Sequence, residues 1–81
     1  FRIFNTLVRK EDPSITLQSS TDEEINFSIV DLSGRNQLTH SAKISKGINV
    51  VDFSGLHACR GYFILYARTK YSLTSHKIYI Q

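Results

Sequence analysis

The chain reads as all-β, an Ig-like antiparallel sandwich of about seven short strands, on three observations. Apolar and polar residues alternate over short runs, as in Ile25, Phe27 and Ile29 set against Asn26 and Ser28. Clusters of Gly, Ser, Asn and Asp interrupt those runs about every 8 to 12 residues, the turn spacing of a sandwich. No segment long enough for a helix repeats its apolar residues at intervals of three and four.

The 81 residues, 41% hydrophobic and 21% charged, have the composition of one globular domain spanning 1–81. No run approaches the roughly 20 apolar residues of a membrane span, and Phe1-Arg2-Ile3-Phe4 lacks the layout of a signal peptide. The absence of an initiator Met reads as a piece of a longer protein, with any export signal outside it. The single cysteine, Cys59, has no internal disulfide partner and is compatible with either redox compartment. The net charge of +3 is uneven, because Arg35, Lys43, Lys46, Arg60, Arg68, Lys70 and Lys77 face only Asp52 after residue 31. Scattered rather than clustered, these cations read as solubilising, edge-blunting residues.

Ile3 and Phe4 open a short apolar element that ends in the polar stretch before Pro13, which suits a turn or strand start because it has no backbone donor. Ile15 and Leu17 alternate with Ser14, Thr16 and Gln18 as a half-buried strand, and 19–24 is a turn rich in Ser, Thr, Asp and Glu. Residues 25–30 form the cleanest strand, running into a hairpin at Ser33-Gly34, where glycine supplies the positive φ of a tight turn. The returning strand, 37–44, carries few apolar residues, Leu38, Ala42 and Ile44, and is expected near a sheet edge.

After the turn at 45–47, Asn49, Val51 and Phe53 share one face of the next strand, with Ile48, Val50 and Asp52 on the other. Leu56 is expected to cap the core beyond the bend at Gly55. Residues 62–69 form the most apolar strand, and a connection at 68–72 leads to a last strand carrying Leu73, Ile78 and Ile80 against Lys77 and Tyr79. Val51, Phe53, Leu56, Ile64 and Tyr66 are expected in the core on alternation.

Chemistry-bearing residues are sparse. His57 and Cys59 make one closely spaced donor pair, whereas a zinc site needs four convergent donors, so His40, His57 and His76 read as solvent-exposed and no metal or cofactor is expected. Cysteine catalysis requires an adjacent base that no motif supplies, so no catalytic residue and no enzyme activity are expected. A nucleic-acid platform interleaves aromatic and basic residues. Here Tyr62 and Phe63 adjoin Ile64 and Leu65 and read as core, so no nucleic-acid partner is expected. The glycines are dispersed, without a phosphate-binding loop.

From residue 25 to 81 an ordered set of motifs resembles the C-terminal sorting domain of bacterial type IX secretion, carried by exported proteins of Bacteroidetes. The alternating strand ending in Asp31-Leu-Ser-Gly34-Arg35 is similar to the family's Asp-Leu-x-Gly-Arg. Gly47-Ile-Asn49-Val-Val-Asp52-Phe-Ser-Gly-Leu56 is similar to its Gly-x-Asn-x-hydrophobic-Asp-Leu-Ser-x-Leu. Gly61-Tyr62-Phe63, followed by Thr69, resembles the Gly-x-Tyr strand, and Lys77-Ile78-Tyr79-Ile80-Gln81 the terminal Lys-hydrophobic ending. The chain departs in having Phe4-Asn-Thr-Leu7 in place of Tyr-Pro-Asn-Pro, and in a connection before Tyr62 that is about one residue longer, with Cys59 at a customary glycine.

The resemblance implies a non-catalytic sorting signal. It would take an N-terminal cargo through the periplasm to the outer membrane, cell surface or extracellular space. Its implied partners are the outer-membrane translocon, a shuttle protein and a cell-surface sortase. Gly61 and Tyr62 are then expected to set shape, and Lys77, Ile78, Tyr79, Ile80 and Gln81 to make contact through an extended strand. The alternative is a non-cleaved Ig-like accessory module spacing a larger exported protein. Exposed edge strands also allow a weak homodimer.

Overall fold

In the computed structural model, which describes residues 1–5, 7–9, 11–53 and 60–81, eight strands form two sheets and no helix occurs among the described residues. The strands are β1 (Arg2–Ile3), β2 (Leu7–Val8), β3 (Ser14–Ser19), β4 (Glu23–Val30), β5 (Asn36–Ile44), β6 (Gly47–Asp52), β7 (Gly61–Arg68) and β8 (Leu73–Ile80). A three-stranded sheet has the order β1-β3-β6 and a five-stranded sheet the order β2-β8-β7-β4-β5. The expected all-β sandwich is the observed one. Its pairings are antiparallel except for the short parallel contact of β2 with β8, Leu7 opposite Tyr79 and Val8 opposite Ile80.

The eighth strand arises because the first apolar element is split between the sheets, β1 pairing with β3 and β2 with β8. Asn5 makes the transfer possible. The Phe4 N–H still donates to Thr16 O in ladder fashion at 2.8 Å, but the Thr16 N–H donates to the Asn5 side-chain oxygen at 2.7 Å. Asn5 Nδ2 donates to Ser14 O and Leu7 O, both at 3.2 Å. One amide side chain thus stands in for the departing backbone and keeps part-buried polar groups satisfied.

The core lies between the sheets. Ile15 and Leu17 of β3 with Val51 and Phe53 face Ile25, Phe27 and Ile29 of β4, Phe63, Leu65 and Ala67 of β7, and Ile78 and Ile80 of β8, all buried. The Phe27 and Phe53 rings meet edge to face, 5.4 Å between centroids, tying one sheet to the other. Strand β5 lies at the edge of the five-stranded sheet as expected, and a bulge where β4 meets it, between Ile29 and Val30, leads into the hairpin loop.

Strand β7 corrects two core expectations and the reading of Tyr62. Ile64 is only half-buried and Tyr66 is 37% exposed, while Phe63, Leu65 and Ala67 fill the core. Cross-strand register is the cause: Leu65 and Ala67 lie opposite the inward Ile29 and Phe27, so Ile64 and Tyr66 share the outward face of Val30 and Ser28. Tyr62, on the same outward face, is 53% exposed rather than core. Leu73 likewise points outward on β8, opposite Arg68, unlike Ile78 and Ile80. His76 is half-buried rather than solvent-exposed. Leu56, His57 and Cys59 lie outside the described residues.

Candidate recognition surface

The motif residues divide into those that shape turns and a group that meets on one sheet face. Asp31 organises the β4–β5 loop. Its Oδ1 accepts from the Ser33 N–H at 3.0 Å, the Ser33 hydroxyl at 2.7 Å and the Arg35 N–H at 2.9 Å, and its Oδ2 lies 3.3 Å from Arg35 Nε and 3.2 Å from Gln37 Nε2. Gly34 closes this loop at φ 93°. The Ser33 hydroxyl bond, then the Arg35 backbone bond, hold the Asp31 carboxyl below the usual carboxylate range.

Asn49 does the same for the β5–β6 turn. It accepts from the Ser45 N–H at 3.1 Å and donates to Ser45 O at 2.7 Å and Gly47 O at 3.2 Å, around Gly47 at φ 108°. Asp22 reaches across to accept the Lys46 N–H at 2.7 Å. Gly61, at φ 105°, starts β7. Asp52 sits exposed at the end of β6, opposite Ser14.

Tyr62, Lys77 and Tyr79 come together on the outer face of β7 and β8. Tyr62 lies directly opposite Tyr79, with ring centroids 4.9 Å apart and planes at 68°. Lys77, one diagonal step away, places Nζ 4.6 Å from the centre of the Tyr62 ring, a cation–π contact. Leu7 of β2 extends the patch from beyond Tyr79. Ile78 and Ile80 alternate inward and are buried, so they hold the strand in place and leave contact to Lys77, Tyr79 and the exposed Gln81. The last strand is no bare edge at its end, because β2 pairs with Tyr79 and Ile80 and the Gln81 N–H donates to Val8 O at 3.0 Å.

The same face continues onto β4 and β5 as a shallow concavity of about 460 Å³ lined by Asn26, Ser28, Thr39, Tyr66, Arg68 and Leu73. Amide and hydroxyl groups there flank a tyrosine ring and a guanidinium. The face therefore offers stacking area, hydrogen bonds and positive charge to a docking partner. Tyr66, Arg68, Leu7 and Leu73 were not named from the sequence as recognition residues, Tyr66 being expected in the core. The signal for Tyr66 is Arg68: a cation cannot face the core, so it fixes the outward parity of Tyr66, Ile64 and Tyr62. Among the described residues no group of three or more His, Cys, Asp or Glu side chains converges as a metal site would.

No family model, no curated protein and no solved structure matches this chain.

Proposed function

We propose that this domain is a non-catalytic sorting module of the type IX secretion kind, and that the outer face of β7 and β8 is what the secretion machinery reads. One observation carries the reading: the residues of the ordered motifs occupy positions with distinct structural jobs. Asp31, Gly34 and Arg35 build one loop, Gly47 and Asn49 the next, and Gly61 starts the strand that sets Tyr62 against Lys77 and Tyr79. Turn residues fix the ends of β4, β6 and β7, and the aromatic patch follows from where β7 and β8 then lie.

In this role the domain travels attached to an N-terminal cargo. The translocon and shuttle recognise the patch during export, and a surface sortase acts on the delivered protein. Tyrosine rings on a rigid sheet suit such recognition, because ordering them on binding costs little entropy, and the contact with the Tyr62 ring already restrains Lys77.

The test is a fusion of the domain behind a periplasmic reporter in type IX-competent cells. Surface delivery of the reporter is expected. Replacing Tyr62, Lys77 and Tyr79 together by Ser leaves the inward residues untouched and should lower delivery about tenfold or more, the equivalent of roughly 1.4 kcal/mol of binding. Undiminished delivery by that folded variant would sink the patch's role. A reporter that stays in the periplasm beside the folded parent domain would instead favour a spacer module.

A further inference from the structure

We propose that the outer edge of β6 is a self-association site at which a second copy of this chain adds its own β6 in antiparallel register. The four sheet edges are managed differently. β1 and β2 are two residues long, and β5 carries Lys43 on its outward face, devices that discourage strand addition. β6 has none of them. It runs six residues without Pro or Lys and turns Ile48 and Val50 outward, 62% and 67% exposed.

The phase of its backbone is fixed by the bond from the Phe53 N–H to Pro13 O, 2.6 Å. Hydrogen-bonded pairs alternate along an antiparallel ladder, so Gly47, Asn49 and Val51 direct their N–H and C=O groups to β3. Ile48, Val50 and Asp52 direct theirs to the open edge. Among the described residues no strand pairs with that side.

The sequence of this edge is complementary to itself. Two copies related by a two-fold axis through Asn49 place Ile48 opposite Val50 of the second copy, and Val50 opposite its Ile48. Each pair exchanges two backbone bonds between groups that already point outward. The same register carries Asp52 past the end of the second copy's β6, toward the turn that holds Lys46, on both sides of the axis. Apolar pairs at the centre and opposite charges near the ends select this register over a slip by two, which would set Ile48 against Asp52 in one direction and carry Val50 beyond the second copy's β6 in the other. Self-association through β6 does not depend on the sorting role, since it uses the other sheet.

The experiment uses the full 81-residue chain, followed by sedimentation over a wide concentration range and by amide exchange at the same concentrations. A concentration-dependent dimer is expected, with slowed exchange at the Ile48 and Val50 amides. Val50→Lys puts a cation on each side of the axis and should weaken association at least about tenfold, with unfolding unchanged because the site is exposed. Lys46→Glu should weaken it as well, and Lys46→Glu combined with Asp52→Lys should restore it. A monomer at every concentration overturns the proposal. So does a dimer that survives Val50→Lys or protects β5 amides instead.

Discussion

Asn5 carries more of this fold than its short polar side chain suggests. It accepts from the Thr16 N–H and donates to Ser14 O, at the point where the chain leaves one sheet for the other. Asn5→Ala leaves both of those part-buried groups without their partner, and a cost of about 1–3 kcal/mol is expected in urea unfolding. For a domain of this size that corresponds to a fall in melting temperature of roughly 4–8 °C per kcal/mol. Asp31 makes a different contribution, one that depends on pH. Its folded-state pKa is lowered, chiefly by the Ser33 hydroxyl and the Arg35 N–H. In the acid range the unfolded chain therefore binds the proton first, and the stabilisation, fully present above the unfolded carboxylate value, is lost as pH falls through the lower folded one. Asp31→Asn should narrow the stability difference from the parent protein as the solution is acidified. A difference constant between pH 7 and pH 2 would remove Asp31 as its source.

Element by element, the strands were legible where charge or polarity marks one face. β4 alternates without exception from Glu24 to Ile29, so its buried set, Ile25, Phe27 and Ile29, could be read directly, and β3 likewise. β7 has an apolar or aromatic residue at every position from Tyr62 to Ala67, so composition cannot say which parity faces inward; the register against β4 and β8 decides it. The split of β1 from β2 was not legible, because it rests on long-range bonds from Asn5 to β3 that no local pattern announces. The recognition surface was legible in part: Tyr62, Lys77 and Tyr79 were named from their motifs, while their mutual contact depends on the β7–β8 pairing. Turns were read more reliably, because backbone geometry singles out their residues. Gly47 and Gly61 lie at φ 108° and 105°, and a Cβ at either would meet nothing within 4 Å. Substitution by Ala is therefore penalised by backbone conformation and not by a clash, at about 1–2 kcal/mol for each. Equal stability of parent and Gly61→Ala by thermal unfolding would place the start of β7 in another conformation.

For the molecule as a whole, stability depends on how firmly a three-stranded sheet is held against a five-stranded one. Among the described residues, Ile15, Leu17, Val51 and Phe53 are the buried hydrophobic side chains that the smaller sheet and the residue after it supply, so each contributes a large share of the contact between layers. Phe53 is the largest of them and meets Phe27 edge to face at 5.4 Å, with the His40 ring centroid 5.7 Å from its own and the planes at 70°. A domain of this length has a total stability of only about 4–12 kcal/mol at the usual value per residue. Phe27→Ala, at about 3–5 kcal/mol, would therefore unfold a large fraction of the molecules and report little about coupling. Leucine at each position keeps most of the apolar volume while removing the aromatic contact. In a double-mutant cycle of Phe27→Leu and Phe53→Leu, the two changes should fall short of additivity by about 0.5–1.5 kcal/mol, the value of an aromatic pair beyond its buried area. Strict additivity would mean that the sheets are held by area alone and that this ring contact adds nothing to it.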